Sequence, residues 1–344
     1  MKKKKRKNQR TFFDDEFKLK KLTKQGDPLL KLNDIDWEIF RDILESTTLK
    51  EDNGLGGKPP YDRVLLFKIL ILQRLYNISD EQIEYQINDR LSFMRFLGLE
   101  LCDDVPDSRT IWLFKDKLSK AEVAENLFNI FKKVLEEKSL IAQEGAIIDA
   151  SFVEVPKQRN KKDENDDIKN GKIPEEWQKE ENANKLSHKD TDARWTKKNN
   201  ASYYGYKDHV KVDSKSKLIV KYEVTDASVH DSQILENLLD ESDKGKTIHA
   251  DSAYVGQEKT LDEKEVKNEI HEKGYKNKPL NDEQKSNNKI KSKIRVRVEH
   301  VFGFIENSMK GSFIRSIGIT RAKLNIGLMN LTYNIFRYLF LCRA

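Results

Sequence analysis

The hydrophobic pattern of this chain changes character near residue 139, and this change limits the folds that the chain can adopt. Before it, apolar residues recur at helical spacing, and the run YDRVLLFKILILQRLY at 61–76 is apolar nearly all round, as in a buried helix. After it come three short β-branched runs, at 145–155, 203–213 and 217–226. Helix and strand patterns then alternate. The sequence therefore predicts a helical half followed by an α/β half with a mixed sheet.

The 344 residues are enough for two domains, and the composition divides the chain into three segments. Residues 1–35 are polar and basic and are predicted to be a flexible arm. Residues 36–138 are predicted to be an all-helical domain, and residues 139–344 to be the α/β domain. Within the latter, residues 156–200 are almost entirely charged and amide residues, so we expect a polar inserted loop, partly disordered, at that place.

The composition excludes several classes of protein. The longest apolar runs, such as LLFKILIL at 65–72, are too short and too charged to span a bilayer, so no membrane association is expected. Two cysteines, Cys102 and Cys342, make no disulfide framework and suit the reducing cytoplasm. The basic N-terminus has no apolar run behind it, so it does not have the pattern of a secretory signal.

The net charge of +6 is unevenly distributed. Basic residues crowd the first ten positions and cluster again at 197–200 and 289–297. Such clusters neutralise phosphates and release counterions, although a lysine-rich surface also serves solubility. The sequence leaves both interpretations open.

Three carboxylates stand where a carboxylate is unfavourable. Asp149 interrupts the apolar strand AIIDASF, Asp251 ends the strand IHAD, and Glu299 lies on a helix between valines and phenylalanines. Burial of an isolated carboxylate is costly, so such groups are paired, hydrogen-bonded or bound to a metal. A strand-end aspartate is often only a cap, which is the simpler interpretation of Asp251. Asp149, with apolar neighbours on both sides, is harder to explain in that way.

The helix that carries Glu299 has two adjacent rows at helical spacing. The core row consists of Ile294, Val298, Val301, Ile305 and Met309, and the neighbouring row consists of Arg295, Glu299, Phe302 and Glu306. Glu299 therefore borders the buried face. Two strand aspartates and a helical glutamate are hard oxygen ligands, which suit a pair of Mg²⁺ or Mn²⁺ ions. Two such metals catalyse phosphoryl transfer, and the basic clusters match a polyanionic substrate.

These motifs resemble those of a known family. DASF, HADSAY and RVRVEHVFGFIE are similar to the three acidic motifs of the DDE transposases of bacterial insertion sequences, best of all the group named after insertion sequence five. Asp251 lies 102 residues after Asp149, and Glu299 lies 48 residues after Asp251, which agrees with that resemblance. One position departs from the family pattern, because Glu306 stands where the family has Lys or Arg. Lys310, one turn further on, is the nearest replacement.

The resemblance covers about residues 36–342 and implies a ribonuclease-H-like catalytic fold behind a helical DNA-binding domain. It implies that Asp149, Asp251 and Glu299 hold two Mg²⁺ or Mn²⁺ ions. It further implies cleavage of DNA strands at the element ends and transfer of the freed 3′-hydroxyl into target DNA. Synapsis of two ends requires at least a dimer during the reaction. The expected location is the bacterial cytoplasm, associated with the nucleoid.

The predicted DNA contacts are Arg295, Arg297, Lys207, His209 and Tyr254. For each of the last three, a structural or solvated side chain is the alternative.

Three further sets of residues have two interpretations each. In the helical half, 79–118 is predicted either as a helix-turn-helix or as a plain bundle, with contact candidates Arg90, Arg95 and Arg109. His230 is interpreted either as a phosphate contact or as a structural residue, and Trp177 and Trp195 either as base-stacking or as loop-anchoring residues.

Two other functions stay open from the sequence. A DNA-binding protein of transposase descent that no longer catalyses is favoured only by the mismatch at Glu306. A metal-dependent nuclease would keep the same site but lack strand transfer.

Overall fold

The computed structural model describes residues 14–48, 59–198, 200–275 and 278–343. The basic cluster in the first ten residues lies outside these ranges. The first half is helical, as predicted. Its helices are α1 (Asp14–Lys24), α2 (Arg41–Thr48), α3 (Arg63–Tyr76), α4 (Asp80–Asp89), α5 (Leu91–Leu97), α6 (Ser108–Lys120) and α7 (Ala124–Glu137).

Helix α3 is the centre of this half and confirms the predicted buried helix. Asp62 caps its N-terminus by accepting a hydrogen bond from the Leu65 amide at 2.9 Å, and Asn77 ends it in the left-handed conformation. Ser79 then caps α4, since its hydroxyl accepts from the Gln82 amide at 3.3 Å. The local capping signals thus fix where these helices begin and end.

The second half contains a six-stranded mixed sheet. Its strands are β1 (Gly145–Glu154), β2 (Arg194–Lys198), β3 (Ala201–Asp213), β4 (Ile219–Asp226), β5 (Thr247–Ala250) and β6 (Lys267–Ile270). The strand order is β2-β3-β1-β5-β6, and β4 also pairs with β3. Strand β3 is antiparallel to β1, β2 and β4, whereas β5 is parallel to both β1 and β6.

The helices of this half alternate with the later strands, as the sequence pattern predicts. They are α8 (Lys162–Lys169), α9 (Ala183–Ser187), α10 (Leu235–Leu238), α11 (Glu258–Glu263), α12 (Asp282–Arg295), α13 (Glu299–Gly303) and α14 (Ile319–Leu341). None of the helices within the described ranges is both long enough and apolar enough to cross a membrane.

Two hydrophobic cores lie on opposite faces of the sheet, because side chains alternate along each strand. The face that carries Ile147, Val210 and Val212, here named the cleft face, packs against α13, α14 and the helical half. The other face, here named the crossover face, carries Ile148 and Ala250 and packs against the segment between β4 and β5 and against α11.

Helix α14 joins the two halves of the chain. It packs against α3, α6 and α7 on one side and against β4 on the other. Asn334 pairs with the Ile219 backbone, accepting from its amide at 2.9 Å and donating to its carbonyl at 2.8 Å. A Cβ at Gly327 would stand 2.4 Å from the Tyr222 hydroxyl, so glycine permits the close approach of α14 to the sheet.

The structure differs from two sequence predictions. The segment predicted as a flexible arm contains α1 and a 3₁₀ helix at Pro28–Asp34, in which Leu29 and Leu32 are buried. The polar insertion contains α8, α9 and β2. Its centre is the fully buried Trp177, whose indole donates to Glu164 at 2.7 Å. In both segments a few apolar residues anchor a chain whose average composition is polar.

Candidate active site

Asp149 and Asp251 are brought side by side by the parallel pairing of β1 and β5. The last pair of this ladder is Ile148 with Ala250, and each aspartate is the next residue of its chain. Residues opposite each other on neighbouring strands point to the same face, so both carboxylates lie on the cleft face. Asp149 lies in the middle of β1, whereas Asp251 directly follows the carboxyl end of β5, and the two backbones are about 4.8 Å apart.

Glu299 comes from an irregular helical run. Helix α12 ends at Arg295, Val296–Val298 is a 3₁₀ helix, α13 begins at Glu299, and Phe304–Ser308 is π-helical. The predicted core row is buried at Val298, Val301, Ile305 and Met309, and Glu299 is exposed beside it. Changes of winding of this kind are frequent at functional sites.

The three predicted carboxylates line one cleft of about 540 Å³, here named the acidic cleft. Its other lining residues are Ala150, Ser151, Phe152, Glu154, Lys198, Tyr203, Arg295, Phe302, Glu306 and Ser312. The sequence prediction that residues 149, 251 and 299 meet in space therefore agrees with the geometry.

Arg295 holds Asp149 in this arrangement. Its Nη1 donates to Asp149 Oδ2 at 2.8 Å, and the Ala150 amide donates to Oδ1 at 2.8 Å. Burial raises the pKa of Asp149 to about 6, and the Asp251 carboxylate adds to this rise, while the hydrogen bond from Ala150 and the charge of Arg295 oppose it. The cleft thus contains more negative charge than Arg295 neutralises.

The donor chemistry of the cleft fits divalent ions, because carboxylate oxygens are the ligands that Mg²⁺ and Mn²⁺ prefer. In the described part of the chain, however, no group of three or more His, Cys, Asp or Glu side chains already stands in a metal-binding arrangement. The nearest charged partner of Asp149 is Arg295. A metal ion at Asp149 Oδ2 would compete with this guanidinium.

Glu306, the residue that departs from the family pattern, also lines the acidic cleft. It is exposed, and its Oε1 accepts a hydrogen bond from the Ser151 hydroxyl at 3.1 Å. A basic DNA contact at this position is therefore replaced by a further carboxylate.

Sequence reasoning missed an aromatic pair in the cleft. The rings of Phe152 and Tyr203 are stacked with centroids 4.3 Å apart, and Lys198 lies over the Phe152 ring. Both aromatic residues are half-buried and line the acidic cleft. Phe152 follows Asp149 by three residues in β1, but its contact with Tyr203 depends on a non-local register that the sequence does not reveal.

Lys207 and His209 are not exposed to solvent. Lys207 is 7% exposed and its Nζ binds Asp231 at 2.8 Å, while His209 is fully buried with Nε2 2.9 Å from the Thr225 hydroxyl. Burial lowers the pKa of His209 to about 4, although the Asp231 carboxylate opposes this shift. The structure therefore gives both side chains a structural role in place of the predicted DNA contact.

Two further predicted DNA contacts, Tyr254 and Arg297, also lie outside the acidic cleft. Tyr254 is fully buried beneath the cleft, where burial and nearby carboxylates hold the pKa of its phenol well above the usual range, so its ring is not available to stack on a base. Arg297 is exposed, but its Nη1 donates to the Ser214 carbonyl at 2.8 Å, away from the acidic cleft. Of the predicted contacts, only Arg295 lines the cleft.

Further residues singled out in the sequence also have defined places. His230 caps the 3₁₀ helix that follows it, since its Nδ1 accepts a hydrogen bond from the Ser232 amide, which is a structural role. Arg95 pairs with Asp27 and also holds α1, because its Nη1 donates to the Thr23 hydroxyl and to the Leu19 carbonyl. Arg109 is exposed. Arg90 and Trp195 each contact an aromatic ring. Arg90 stacks over Phe93, and the exposed Trp195 lies beside Tyr204.

Comparison with known families gives two matches, both to transposase domains. Residues 142–335 match the Transposase DDE domain, and residues 17–117 match the Transposase domain (DUF772). The first match includes all three carboxylates and more than half of the chain. The chain belongs to the DDE transposase family, and it is thus a DNA transposase by descent. Transposases of this family in general use divalent metal ions.

Among solved structures, a piggyBac transposase in a synaptic complex with hairpin DNA, determined by cryo-EM, is similar to this chain. The two are 12% identical, with a TM-score of 0.46, over 92% of this chain and 75% of the other.

Proposed function

We propose that this transposase cleaves DNA strands at the ends of its own element and joins them to target DNA at the acidic cleft. The observation that carries the proposal is the convergence of Asp149, Asp251 and Glu299 on one cleft from three separate elements. Asp149 and Asp251 lie side by side on the neighbouring strands β1 and β5, and Glu299, at the start of α13, completes the set. Charged groups gathered at the border of a buried core need a function that offsets their burial.

The residues in and below the acidic cleft would have three different roles in this reaction. Asp149, Asp251 and Glu299 would hold two divalent ions, which activate the attacking hydroxyl and stabilise the leaving oxygen. Arg295, once released from Asp149, stands at the cleft with its donors free for a non-bridging phosphate oxygen. Tyr254 and the core below it keep the aspartate backbone fixed, which preserves the spacing of the two carboxylates.

We further assign the second half to the ribonuclease-H-like folds and the chain to the insertion-sequence-five group. Support for the fold comes from the strand order: apart from β2, which belongs to the polar insertion, the antiparallel strands β1, β3 and β4 precede the parallel strands β5 and β6, which alternate with helices. Support for the group comes from the spacing of the three acidic residues and from Arg295 four residues before Glu299. Synapsis of two element ends would require at least two copies of the chain.

The test compares Asp149→Asn with the control Asp262→Asn, an exposed aspartate on α11. Purified protein is incubated with Mn²⁺ and with DNA that carries the inverted repeats bracketing the reading frame. We expect nicked and joined products from the wild type and the control, and at least a hundred-fold loss with Asp149→Asn, because the position of the first ion is lost. Equal cleavage by both variants would refute the assignment of Asp149.

A catalytically silent DNA-binding protein is the second candidate, and the acidic side chain of Glu306 in the cleft is the observation that favours it. Tight binding to the element ends, with no cleavage under any divalent ion, would establish that function instead. Nicking without any joined donor–target product would indicate a nuclease.

A further inference from the structure

A second polar cavity, of about 510 Å³, lies between the helical half and the segment 312–316 that follows the π-helical turn. We name it the basic cavity after its cations, which are Arg74, Lys115, Arg315 and Arg321. It is separate from the acidic cleft, and nothing in the reaction described above uses it.

Three residues that line the basic cavity contain a buried polar atom with no hydrogen-bond partner in the described ranges. They are Ser119 Oγ, Ser316 Oγ and Asn325 Oδ1, and the three residues are 2%, 9% and 7% exposed. Buried polar groups are nearly always hydrogen-bonded, so these atoms need a partner that the described residues do not supply. The two serine hydroxyls can donate to an anion, whereas Asn325 Oδ1 can only accept a hydrogen bond. A serine hydroxyl needs only another χ1 rotamer to turn towards the cavity.

The charges of the basic cavity favour an anion. Asp80 accepts from Lys115 at 2.5 Å, and Asp116 accepts from Arg321 at 2.7 Å, so these two pairs are neutral. The third carboxylate of the lining, Glu81, is exposed, and Arg74 and Arg315 are the remaining cations. Arg74 forms neither a hydrogen bond nor an ion pair with any described residue, although Asp80 attracts it. The N-terminus of α4, which also opens here, adds partial positive charge.

The basic cavity adjoins the acidic cleft along a single extended segment. Ser312 lines the acidic cleft, whereas Phe313 and Arg315 line the basic cavity. Glu154 fixes this segment, because its amide donates to the Ser312 carbonyl and its carbonyl accepts from the Ile314 amide. Three extended residues span about 10 Å, which corresponds to about three nucleotides of one DNA strand.

We propose that the basic cavity binds a backbone phosphate of the DNA strand that enters the acidic cleft, about three nucleotides from the reacting phosphate. Arg74 provides the charge, and the hydroxyls of Ser119 and Ser316 provide neutral donors. This inference rests on the proposed function, since DNA is its substrate. The site would fix the register of the strand in the cleft, because phosphate contacts position a nucleic acid without reading its sequence.

The experiment measures binding of full-length protein to a labelled duplex ending at the bracketing inverted repeat, by fluorescence anisotropy across a range of KCl concentrations without divalent ions. Arg74→Gln should weaken binding and reduce the slope of log K against log[KCl] by about 1. Ser316→Ala should weaken binding with the slope unchanged, since it removes a neutral donor. The matched control is Arg63→Gln, at the other end of the same helix and also half-buried, for which we expect no change.

Two outcomes would overturn the proposal. One is an unchanged slope for Arg74→Gln with an unchanged urea midpoint of unfolding. The other is that inorganic phosphate raises the melting temperature of the wild type but not of Arg74→Gln while DNA binding is equal, which would assign the cavity to a small free anion. Because the readout is binding without metal, it is independent of cleavage, so a failure of the catalytic assignment at Asp149 would leave the slope intact.

Discussion

The two faces of the sheet differ in how completely their buried charged side chains are paired. On the crossover face, β3 presents Lys207 and Lys211, and each of them meets a carboxylate from the segment between β4 and β5. On the cleft face, Asp149 has one guanidinium partner and a second carboxylate beside it. The fully paired charges on the crossover face connect β3 to the segment between β4 and β5. The incompletely paired carboxylates at the border of the acidic cleft can still bind a ligand. The degree of pairing therefore distinguishes the structural charged residues of this sheet from the candidate functional ones.

The strongest test of the paired face is Lys211→Ala. This change leaves Asp243, which is 4% exposed, without its cation, and we expect the free energy of unfolding to fall by about 3–5 kcal/mol. Urea denaturation measures the effect. Lys215→Ala, which removes an exposed lysine paired with Glu144, is the control and should leave the midpoint almost unchanged. Similar losses for both variants would mean that the buried ion pairs do not hold the segment between β4 and β5 against the sheet.

The next test concerns Asp208, a buried carboxylate on the cleft face that accepts a hydrogen bond from Asn330 but has no cation partner within the described ranges. Burial raises the pKa of Asp208 from 3.8 to about 7. The folded protein therefore retains a proton that the unfolded chain releases, and the associated stability is complete below about pH 4 and is lost as the pH rises through about 7.

Asp208→Asn should accordingly stabilise the protein by roughly 2–4 kcal/mol at pH 8 and by little at pH 4. Urea midpoints at the two pH values measure this. A variant that is equally destabilised at both would show that Asp208 is ionised and paired in solution.

The third test separates Arg295 from its neighbour Arg297. Since Arg295 occupies Asp149, Arg295→Gln should increase Mn²⁺ affinity about tenfold, or about 1.4 kcal/mol, and weaken DNA binding. Arg297→Gln, which removes a donor to the Ser214 carbonyl outside the cleft, should leave Mn²⁺ affinity unchanged. Free Mn²⁺ measured by electron paramagnetic resonance decides between them. If both variants bind Mn²⁺ like the wild type, Arg295 does not compete with the metal.

The smallest expected effect is that of Glu306→Lys. It restores a cation at the family position and changes the charge of the acidic cleft by two units, so DNA affinity should rise several-fold with a steeper salt dependence. Glu263→Lys, at an exposed site on α11, makes the same change elsewhere. An equal gain from both variants would attribute the effect to net charge alone.

Much of the architecture could be predicted, because local signals determine it. The capping residue Ser79, the apolar helix at 61–76 and the β-branched runs each specify an element without reference to the rest of the chain. Asp149 could be recognised as unusual because its strand neighbours are apolar, and its position beside Asp251 follows from parallel pairing.

The remaining features depend on partners distant in sequence. Lys207 and His209 alternate on a strand as DNA-contacting residues would, and only the position of Asp231 shows that they are internal. The polar insertion folds around one buried tryptophan, Trp177, which donates a hydrogen bond to Glu164. The average composition of the insertion gives no sign of this contact. Burial of a charged residue requires a specific partner, and a single sequence does not identify that partner.

Helix α14 has a consequence for the order of events during synthesis. Its apolar side chains complete the packing of α3, α6 and α7, and Asn334 covers the edge of β4. Until the ribosome has released Leu341, the earlier helices and the sheet edge expose surfaces that invite aggregation and proteolysis. A polypeptide truncated before α14 is therefore expected to be degraded before it accumulates, so that only chains complete through this helix survive to bind DNA.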